Sequence, residues 1–171
     1  MRLFTAIDLP PEMVEKLSEF VNRLRPLARI EWSPLENLHI TTKFIGEWPD
    51  ARLAEMKAAL AGVQKAGPIL ISVCGVGWFP GAFWAGIDGG NPLAMLAGSI
   101  EQAVAKLGIP VEKRAYAPHL TLAKVKDRVP LDSLREAAGD PDFGSFHASS
   151  FFLYLSESGR YSKLAEFSLN S

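Results

Sequence analysis

The chain has 171 residues, of which 48% are apolar and 22% charged, and such a composition is typical of a globular protein. This length is sufficient for one domain with a large buried core, and we expect residues 1–171 to form a single domain. The formal net charge of −1 argues against a strongly basic surface of the kind that coats nucleic acids or binds anionic membranes. No segment reaches the ~18 apolar residues of a membrane span, so we expect no membrane partner.

Cysteine content and the first residues predict the compartment. Cys74 is the only cysteine, so an internal disulfide is excluded and a reducing compartment is favoured. It lies in an apolar run, where we expect a buried and inert thiol. The opening MRLFTAIDLP is too short and too early broken by proline for a secretion signal. These features predict a cytoplasmic protein.

Strand and helix signals alternate along the first third of the chain. Residues 2–8 favour a strand, and Pro10 begins a helix whose apolar stripe ends near Arg25. Residues 30–32 favour a short strand. Asp50 is the predicted cap of a second helix.

The middle third predicts a hairpin and a long helix. Residues 69–79 are rich in strand formers and interrupted by glycines, which indicates a bulged strand. A Pro-Gly turn leads to residues 83–87 as the hairpin partner. Asn91, which a proline follows, is the predicted cap of the third helix.

The last third predicts a short helix and a second hairpin. The helix begins at Pro130 and ends near Gly139. Two strands follow, around residues 143–155 and 161–169, and they turn at Gly159. Helices and hairpins without a long parallel repeat favour the α+β class.

The same pattern, His-x-Thr, occurs once in each half of the chain. His39 and Thr41 lie in the run LHITTKFIG, and His119 and Thr121 lie in PHLTLAKV. Both runs predict strands, on which side chains two positions apart share a face. Each strand therefore offers one imidazole beside one hydroxyl. By the same alternation, Lys43 is expected on the face of His39.

Two such pairs facing each other could hydrolyse a phosphodiester without a metal ion or any other cofactor. Imidazole is neutral or charged near pH 7, so one histidine could take a proton from water while the other gives a proton to the leaving oxygen. The hydroxyls could donate to the non-bridging oxygens and stabilise developing charge. One His-x-Thr carries little information, whereas two copies on strands in opposite halves favour a shared site.

Other interpretations of the histidines are open. A strand histidine is often a structural residue bonded to a backbone carbonyl, and threonine is a common strand former. The two motif histidines could instead be metal ligands, although no histidine, cysteine or carboxylate lies beside either with ligand spacing. His147, the third histidine, has no threonine two residues later and is expected to be structural.

The doubled motif resembles that of the 2H phosphoesterase superfamily, and within it the bacterial and archaeal RNA 2',3'-cyclic phosphodiesterases, also called 2'-5' RNA ligases. Five segments resemble that branch in order, over nearly the whole chain: MRLFTAIDLP, ENLHITTKFIGE, FWAGI, RAYAPHLTLAKV and GRYSKLAEFSL. The resemblance implies one domain with two pseudo-symmetric lobes, each an antiparallel sheet with helices on its outer face, and an active-site cleft between the lobes.

The resemblance also implies a reaction and a site. The reaction is hydrolysis of a terminal 2',3'-cyclic phosphate to a 2'-phosphate, on RNA ends or nucleotide 2',3'-cyclic phosphates. His39 and His119 form the catalytic pair, while Thr41 and Thr121 hold the phosphate. We assign His119 as the base and His39 as the acid, and the reverse assignment stays open. Arg114 matches a family arginine that could contact the phosphate.

Further residues are weaker candidates. Lys43 could contact the phosphate as Arg114 does, and Tyr116 and Phe4 could stack on a base, although burial in the core or rim is an equal alternative for them. Four aromatic residues near the predicted hairpin turn are expected to lie mostly in the core: Trp78, Phe79, Phe83 and Trp84.

Three functions compete at this stage. The leading one is the cyclic phosphodiesterase, with 2'-5' ligation as its reverse reaction. The second is a catalytically silent module that binds nucleotides or RNA on the same fold, and the third is a metal hydrolase. Nothing in the sequence requires more than a monomer.

Overall fold

The computed structural model describes residues 1–126 and 131–170, and within these the elements alternate as the sequence predicts. The strands are β1 (Arg2–Asp8), β2 (Glu31–Trp32), β3 (His39–Glu47), β4 (Ile69–Phe79), β5 (Ala82–Asp88), β6 (His119–Lys124), β7 (Asp142–Ala148), β8 (Ser150–Glu157) and β9 (Arg160–Ser168). The α-helices are α1 (Pro11–Leu24), α2 (Leu53–Ala61), α3 (Gly90–Ala105) and α4 (Asp132–Ala138).

The strands form two antiparallel sheets. One sheet has the order β3-β1-β8-β9, and the other has the order β2-β6-β5-β4-β7. Helix α1 packs on β7 and α4, α2 packs on β9, and α3 packs on β3 and β4. The predicted α+β fold with two antiparallel sheets is confirmed, and each sheet contains one of the His-x-Thr strands.

A continuous cluster of buried side chains joins the two sheets and their helices. It extends from Leu3 in β1 to Leu169 after β9, with Ile40 of β3 and Leu120 of β6 fully buried within it. These two residues follow the motif histidines directly, so the strand alternation that buries them turns the histidines away from the core. No helix among the described residues is long and apolar enough to cross a membrane.

The chain changes sheets between β7 and β8. The prediction of one strand over residues 143–155 is therefore wrong, because β7 pairs with β4 whereas β8 pairs with β1 and β9. The break at Ser149 carries neither glycine nor proline, so no local signal marked it. The short helix α4 is confirmed and ends before Gly139, which has a φ of +60°. Its predicted first residue, Pro130, lies outside the described residues.

Two predicted helix caps are wrong. The carboxylate of Asp50 lies 3.2 Å from the N-terminal ammonium group and makes no cap bond to α2. Helix α3 begins at Gly90, whose N–H donates to Asp88 at 3.0 Å, so Asn91 lies within the helix. Asp50 binds the N-terminal ammonium group and Asp88 binds the N–H of Gly90. The local sequence pattern predicted neither contact.

Cys74 is exposed, and the prediction of a buried thiol is wrong. On β4 the core-facing positions are Ile69, Ile71 and Val73, and Cys74 points to the other face. The apolar run around it predicts a strand correctly but does not say which of its faces is buried.

A pair of bulges in β3 redirects the side chains beyond the first motif. In the pairing with β1, Thr42 and Ile45 are the extra residues, since Thr41 lies opposite Ala6 while Lys43 lies opposite Thr5. One extra residue reverses the alternation that follows it. The ammonium of Lys43 is therefore buried, and it donates to Glu101 of α3 at 2.7 Å. The expectation that Lys43 shares the face of His39 is wrong.

Removing Glu101 should destabilise the fold. In Glu101→Ala the Lys43 ammonium, 7% exposed, keeps only the Pro110 carbonyl at 3.3 Å. A buried charge that loses its partner is costly, and we expect the free energy of unfolding to fall by about 3 kcal/mol. Urea denaturation measures this change. Glu55→Ala, which removes the exposed pair with Arg52, is the control, and an equal effect of the two variants would contradict the prediction.

Candidate active site

The two motif strands lie against each other although they belong to different sheets. Strand β3 begins at His39, β6 begins at His119, and the two strands are in contact. The hydroxyl of Tyr116, just before β6, donates to the backbone carbonyl of Thr41 at 2.8 Å. Burial raises the pKa of Tyr116, so the hydroxyl keeps its proton. This bond ties the approach to β6 to the middle of the first motif.

Both ring nitrogens of His39 are engaged. Nδ1 lies 2.6 Å from the carbonyl oxygen of Asn37, and because a carbonyl only accepts, Nδ1 carries the proton. Nε2 lies 2.8 Å from the hydroxyl of Thr41, which donates to it while the imidazole is neutral. The side-chain amide of Asn37 in turn donates to the carbonyl of Gly159 in the β8–β9 turn at 2.9 Å. The reactive nitrogen is therefore Nε2, in contact with the motif hydroxyl.

His119 is held in the same way. Its Nδ1 donates to the carbonyl of Ala117, two residues before it, at 3.0 Å. This bond also leaves Nε2 as the nitrogen for acid–base chemistry. Thr121 shares the face of His119 by strand alternation and lies opposite Trp84 of β5. The repeated motif thus produces a repeated geometry.

Aromatic rings enclose His39. Phe4 lies behind the imidazole with centroids 4.9 Å apart, and Tyr161 meets it edge-on at 5.3 Å. Tyr154 stacks on Phe4 at 5.2 Å. Phe4 is buried, so the structure favours the core alternative for it over base stacking. Most of the surface of the His39 imidazole is therefore covered by aromatic rings.

The charge state of His39 is set by burial and two neighbours. Burial lowers the pKa of the imidazole, the Asn37 bond and the negative charge of Asp8 raise it, and His119 lowers it further. The net effect is a pKa below the usual value of about 6.5, so His39 is neutral at pH 7. Asp8 lies opposite His39 in the pairing of β1 with β3. The effect of His119 requires that the two imidazoles lie near each other.

Asp8 is itself held in place. Its carboxylate accepts a hydrogen bond from the Tyr154 hydroxyl and pairs with the Lys163 ammonium. Burial and the bond to Asp8 raise the pKa of Tyr154, so the phenol stays protonated and acts as the donor. The sequence places no carboxylate beside either histidine, yet strand pairing brings Asp8 to His39 from a distance of 31 positions.

The second histidine has an aromatic neighbour that the sequence did not assign to the site. Phe79, at the end of β4, meets His119 edge-on with centroids 5.1 Å apart and is 42% exposed. Trp84 lies 5.4 Å from Phe79 and covers Gly77, where an added Cβ would come within 2.4 Å of the indole. Phe83 is buried in the core, but Trp78 and Trp84 are half-buried and Phe79 is exposed, so the expectation that most of these four aromatic residues lie in the core is wrong. Because side chains two positions apart on a strand share a face, the sequence could have shown that Phe79 lies on the same face of β4 as Gly77, the glycine that Trp84 covers.

Arg114 faces the same space as the motifs. It is exposed and lines a cavity of about 700 Å³ together with Thr41 and His119. His39 and Thr121 lie two residues from these, on the same strand faces. Three of the five predicted site residues, Thr41, His119 and Arg114, thus line one cavity. His39 and Thr121 are not among its lining residues, and their place in a shared site stays a prediction.

The remaining histidine lies elsewhere. His147 is exposed on β7, the edge strand of the second sheet, opposite Leu70. Among residues 1–126 and 131–170, no three histidine, cysteine, aspartate or glutamate side chains are grouped so that they could hold a metal ion.

Known proteins resemble this chain over most of its length. The profile of the 2'-5' RNA ligase superfamily matches residues 10–160. A curated relative from Methanocaldococcus jannaschii, named RNA 2',3'-cyclic phosphodiesterase, is 35% identical over 164 residues, which cover 91% of each chain. A protein of the same name from Archaeoglobus fulgidus is 32% identical over 160 residues, or 90% of this chain and 89% of that one.

Solved structures share the fold. A crystal structure from Thermus thermophilus has a TM-score of 0.80 at 29% identity and covers 99% of this chain and 98% of that chain. The E. coli protein LigT, complexed with 3'-AMP, has a TM-score of 0.84 at 24% identity with the same coverage. The second likeness shows the fold alone.

Replacing Asp8 should change the titration of His39. In Asp8→Asn the negative charge that raises the His39 pKa is lost, and the unpaired Lys163 ammonium acts in the same direction. We therefore expect the His39 pKa to fall further below its wild-type value, as measured by NMR of the imidazole Cε1–H resonance against pH. Asp142→Asn, in β7, is the control. An unchanged or higher His39 pKa in Asp8→Asn would contradict this account of the site.

Proposed function

Because the chain belongs to the 2'-5' RNA ligase superfamily, we propose that it is an RNA 2',3'-cyclic phosphodiesterase that converts a terminal 2',3'-cyclic phosphate into a 2'-phosphate without a metal ion. The observation that carries the proposal is the pair of imidazoles on adjacent strands, both held through Nδ1 by the carbonyl two residues upstream. In both, Nε2 is therefore the nitrogen that remains for acid–base chemistry. The relatives named above support the substrate class.

The base in this mechanism is His119. Its neutral Nε2 takes a proton from a water molecule as the water oxygen attacks phosphorus. The P–O3' bond then breaks, the 2' oxygen keeps the phosphate, and the 3' oxygen leaves as a hydroxyl. The proton that completes this hydroxyl comes from Nε2 of His39.

His39 must therefore gain a proton when substrate binds. In the free protein burial keeps it neutral, but a phosphate anion in the cleft adds its charge to that of Asp8, and both raise the pKa of the imidazole. Once protonated, Nε2 no longer accepts from Thr41; its proton turns to the 3' oxygen, and the Thr41 hydroxyl can donate to the phosphate instead. The 2.8 Å contact between Nε2 and Thr41 couples phosphate binding to protonation of the acid.

The other groups stabilise charge on the phosphate. The Thr121 hydroxyl donates to a second non-bridging oxygen, and the Arg114 guanidinium adds a charge-assisted contact. Because acid and base exchange roles on reversal, the same groups support 2'-5' ligation as the reverse reaction. One chain supplies every residue, so a monomer is the proposed acting unit, and we expect residues 1–171 to act as one domain in the cytoplasm.

Replacement of either histidine should abolish turnover. We expect wild-type protein to hydrolyse a short RNA with a 2',3'-cyclic phosphate end in the presence of EDTA, and His39→Ala and His119→Ala to lower kcat by about 10²–10⁴-fold each. His147→Ala, on the distant edge strand, is the matched control and should behave as wild type. Product ends are identified as 2'-phosphates by chromatography against synthetic RNAs that end in a 2'-phosphate and in a 3'-phosphate.

Two results would redirect the proposal. If folded wild-type protein binds the RNA but does not cleave it, the chain is the silent binding module. If EDTA abolishes wild-type turnover, the histidines are metal ligands.

A modified substrate can show which histidine is the general acid and which is the general base. When sulfur replaces the 3' oxygen of the cyclic phosphate, the leaving thiolate needs no proton, so loss of the general acid should matter less. We expect His39→Ala to recover at least about tenfold of its lost rate on the sulfur substrate, while His119→Ala recovers none. Recovery by His119→Ala instead would reverse the two assignments.

A further inference from the structure

The cavity beside the active site continues beyond the catalytic groups. Its walls include Thr41 and His119 of the site, and it extends along the edge strand β3 to Phe44, facing α3 and residues 110–117. At about 700 Å³ it lies within the range of roughly 300–1,000 Å³ typical of small-molecule sites. The cyclic phosphate occupies only the part between the imidazoles, which leaves most of this volume for another part of the substrate.

Phe44 is the most exposed large apolar side chain in this region. The bulge at Thr42 turns it to the cleft side of β3, where it is 70% exposed. Its ring lies 6.4 Å from Phe4, which stands opposite it on β1. An exposed ring supported from behind by a buried one is a surface on which a nucleobase can stack.

The helix wall of the cavity is built from small residues. Ala94, Ala97 and Gly98 of α3 line it, and a Cβ added at Gly98 would meet no atom within 4 Å. The space beside the helix is therefore open. A larger side chain at Gly98 can fill it without strain, since this helical glycine has an ordinary φ.

Charged side chains of both signs line the cavity. Arg114 is exposed and lines it. The carboxylate of Glu101 is paired with the Lys43 ammonium and accepts the backbone N–H of Glu112 at 2.9 Å. The exposed Glu112 carboxylate is the opposing charge on this wall. A guanidinium beside an open apolar wall suits a phosphodiester that is joined to a base.

We propose that this cavity is a second nucleotide subsite, which binds the nucleotide on the 5' side of the one that carries the cyclic phosphate. Phe44 stacks on its base, and the phosphodiester that joins the two nucleotides passes along the cavity beside Arg114, whose guanidinium contacts the cyclic phosphate. The inference rests on the proposed function and narrows its substrate to RNA of at least two nucleotides.

The position of Phe44 selects the upstream nucleotide over the terminal one. A cyclic phosphate closes the 3' end, so the chain continues only from the 5' oxygen of the terminal ribose. Because Thr42 is a bulge, Thr41 and Phe44 lie opposite Ala6 and Phe4, two residues apart on β1, which places Phe44 about 7 Å beyond Thr41 along the strand. Phe79, which contacts His119, is the nearer flat surface for the terminal base.

The test compares kcat/KM for ApA ending in a 2',3'-cyclic phosphate with kcat/KM for 2',3'-cyclic AMP. Wild-type protein should favour the dinucleotide by about tenfold or more, the effect expected from one base stacked on an aromatic ring. Phe44→Ala and Gly98→Leu should each lower this ratio by about tenfold. With an abasic 5' nucleotide, the effect of Phe44→Ala on the ratio should disappear.

Two control variants distinguish loss of nucleotide binding in the cavity from general damage to the protein. Leu70→Ala removes a comparably exposed apolar side chain on β4, and Gly98→Ala adds one methyl group without filling the space; both should keep the wild-type ratio. An unchanged ratio in Phe44→Ala and Gly98→Leu, or an equal fall for both substrates, would overturn the subsite and leave the phosphodiesterase intact. Failure of wild-type protein to hydrolyse either substrate would instead overturn the proposed function, and the subsite with it.

Discussion

An extra residue in β3, Thr42, determines which side chains after the first histidine face the cleft. Strict alternation from His39 would bring Lys43 into the cleft and Phe44 into the core. With the bulge, Lys43 is buried against Glu101 and Phe44 is exposed. The same irregularity therefore ties β3 to α3 through a buried ion pair and adds an exposed aromatic ring to the wall of the cavity. An ammonium in that position would compete with the imidazole for the charge of a bound phosphate.

The two motifs share their backbone geometry and differ in their surroundings. In both, a carbonyl two residues upstream fixes the tautomer through Nδ1, a constraint that the strand itself supplies. Around His39 lie buried rings and the Asp8 carboxylate, whereas Phe79 is exposed beside His119. The two identical motifs therefore place their histidines in different surroundings. Such a difference is needed if one histidine is to act as an acid and the other as a base.

Local patterns in the sequence were enough for the elements, the α+β class and the pairing of each histidine with its threonine, because these depend on strand period and turn residues within a few positions. Local patterns could not predict the features that depend on how strands remote in the chain pair with each other. The bulge at Thr42 appears only against β1, and Asp8 reaches His39 only through that pairing. The change of sheet at Ser149 likewise depends on two partners, β4 and β1, that are remote in the chain.

The electrostatic effect of one histidine on the other suits their proposed roles as acid and base. A positive charge on His119 lowers the pKa of His39, so the doubly protonated state is disfavoured. A negative phosphate between them favours one proton, since the first imidazolium neutralises the charge that attracts the second. Burial behind Phe4 keeps solvent from weakening this repulsion at His39. The proposed step of acid–base catalysis needs one protonated and one neutral imidazole, and the effect of His119 on His39 acts against protonation of both.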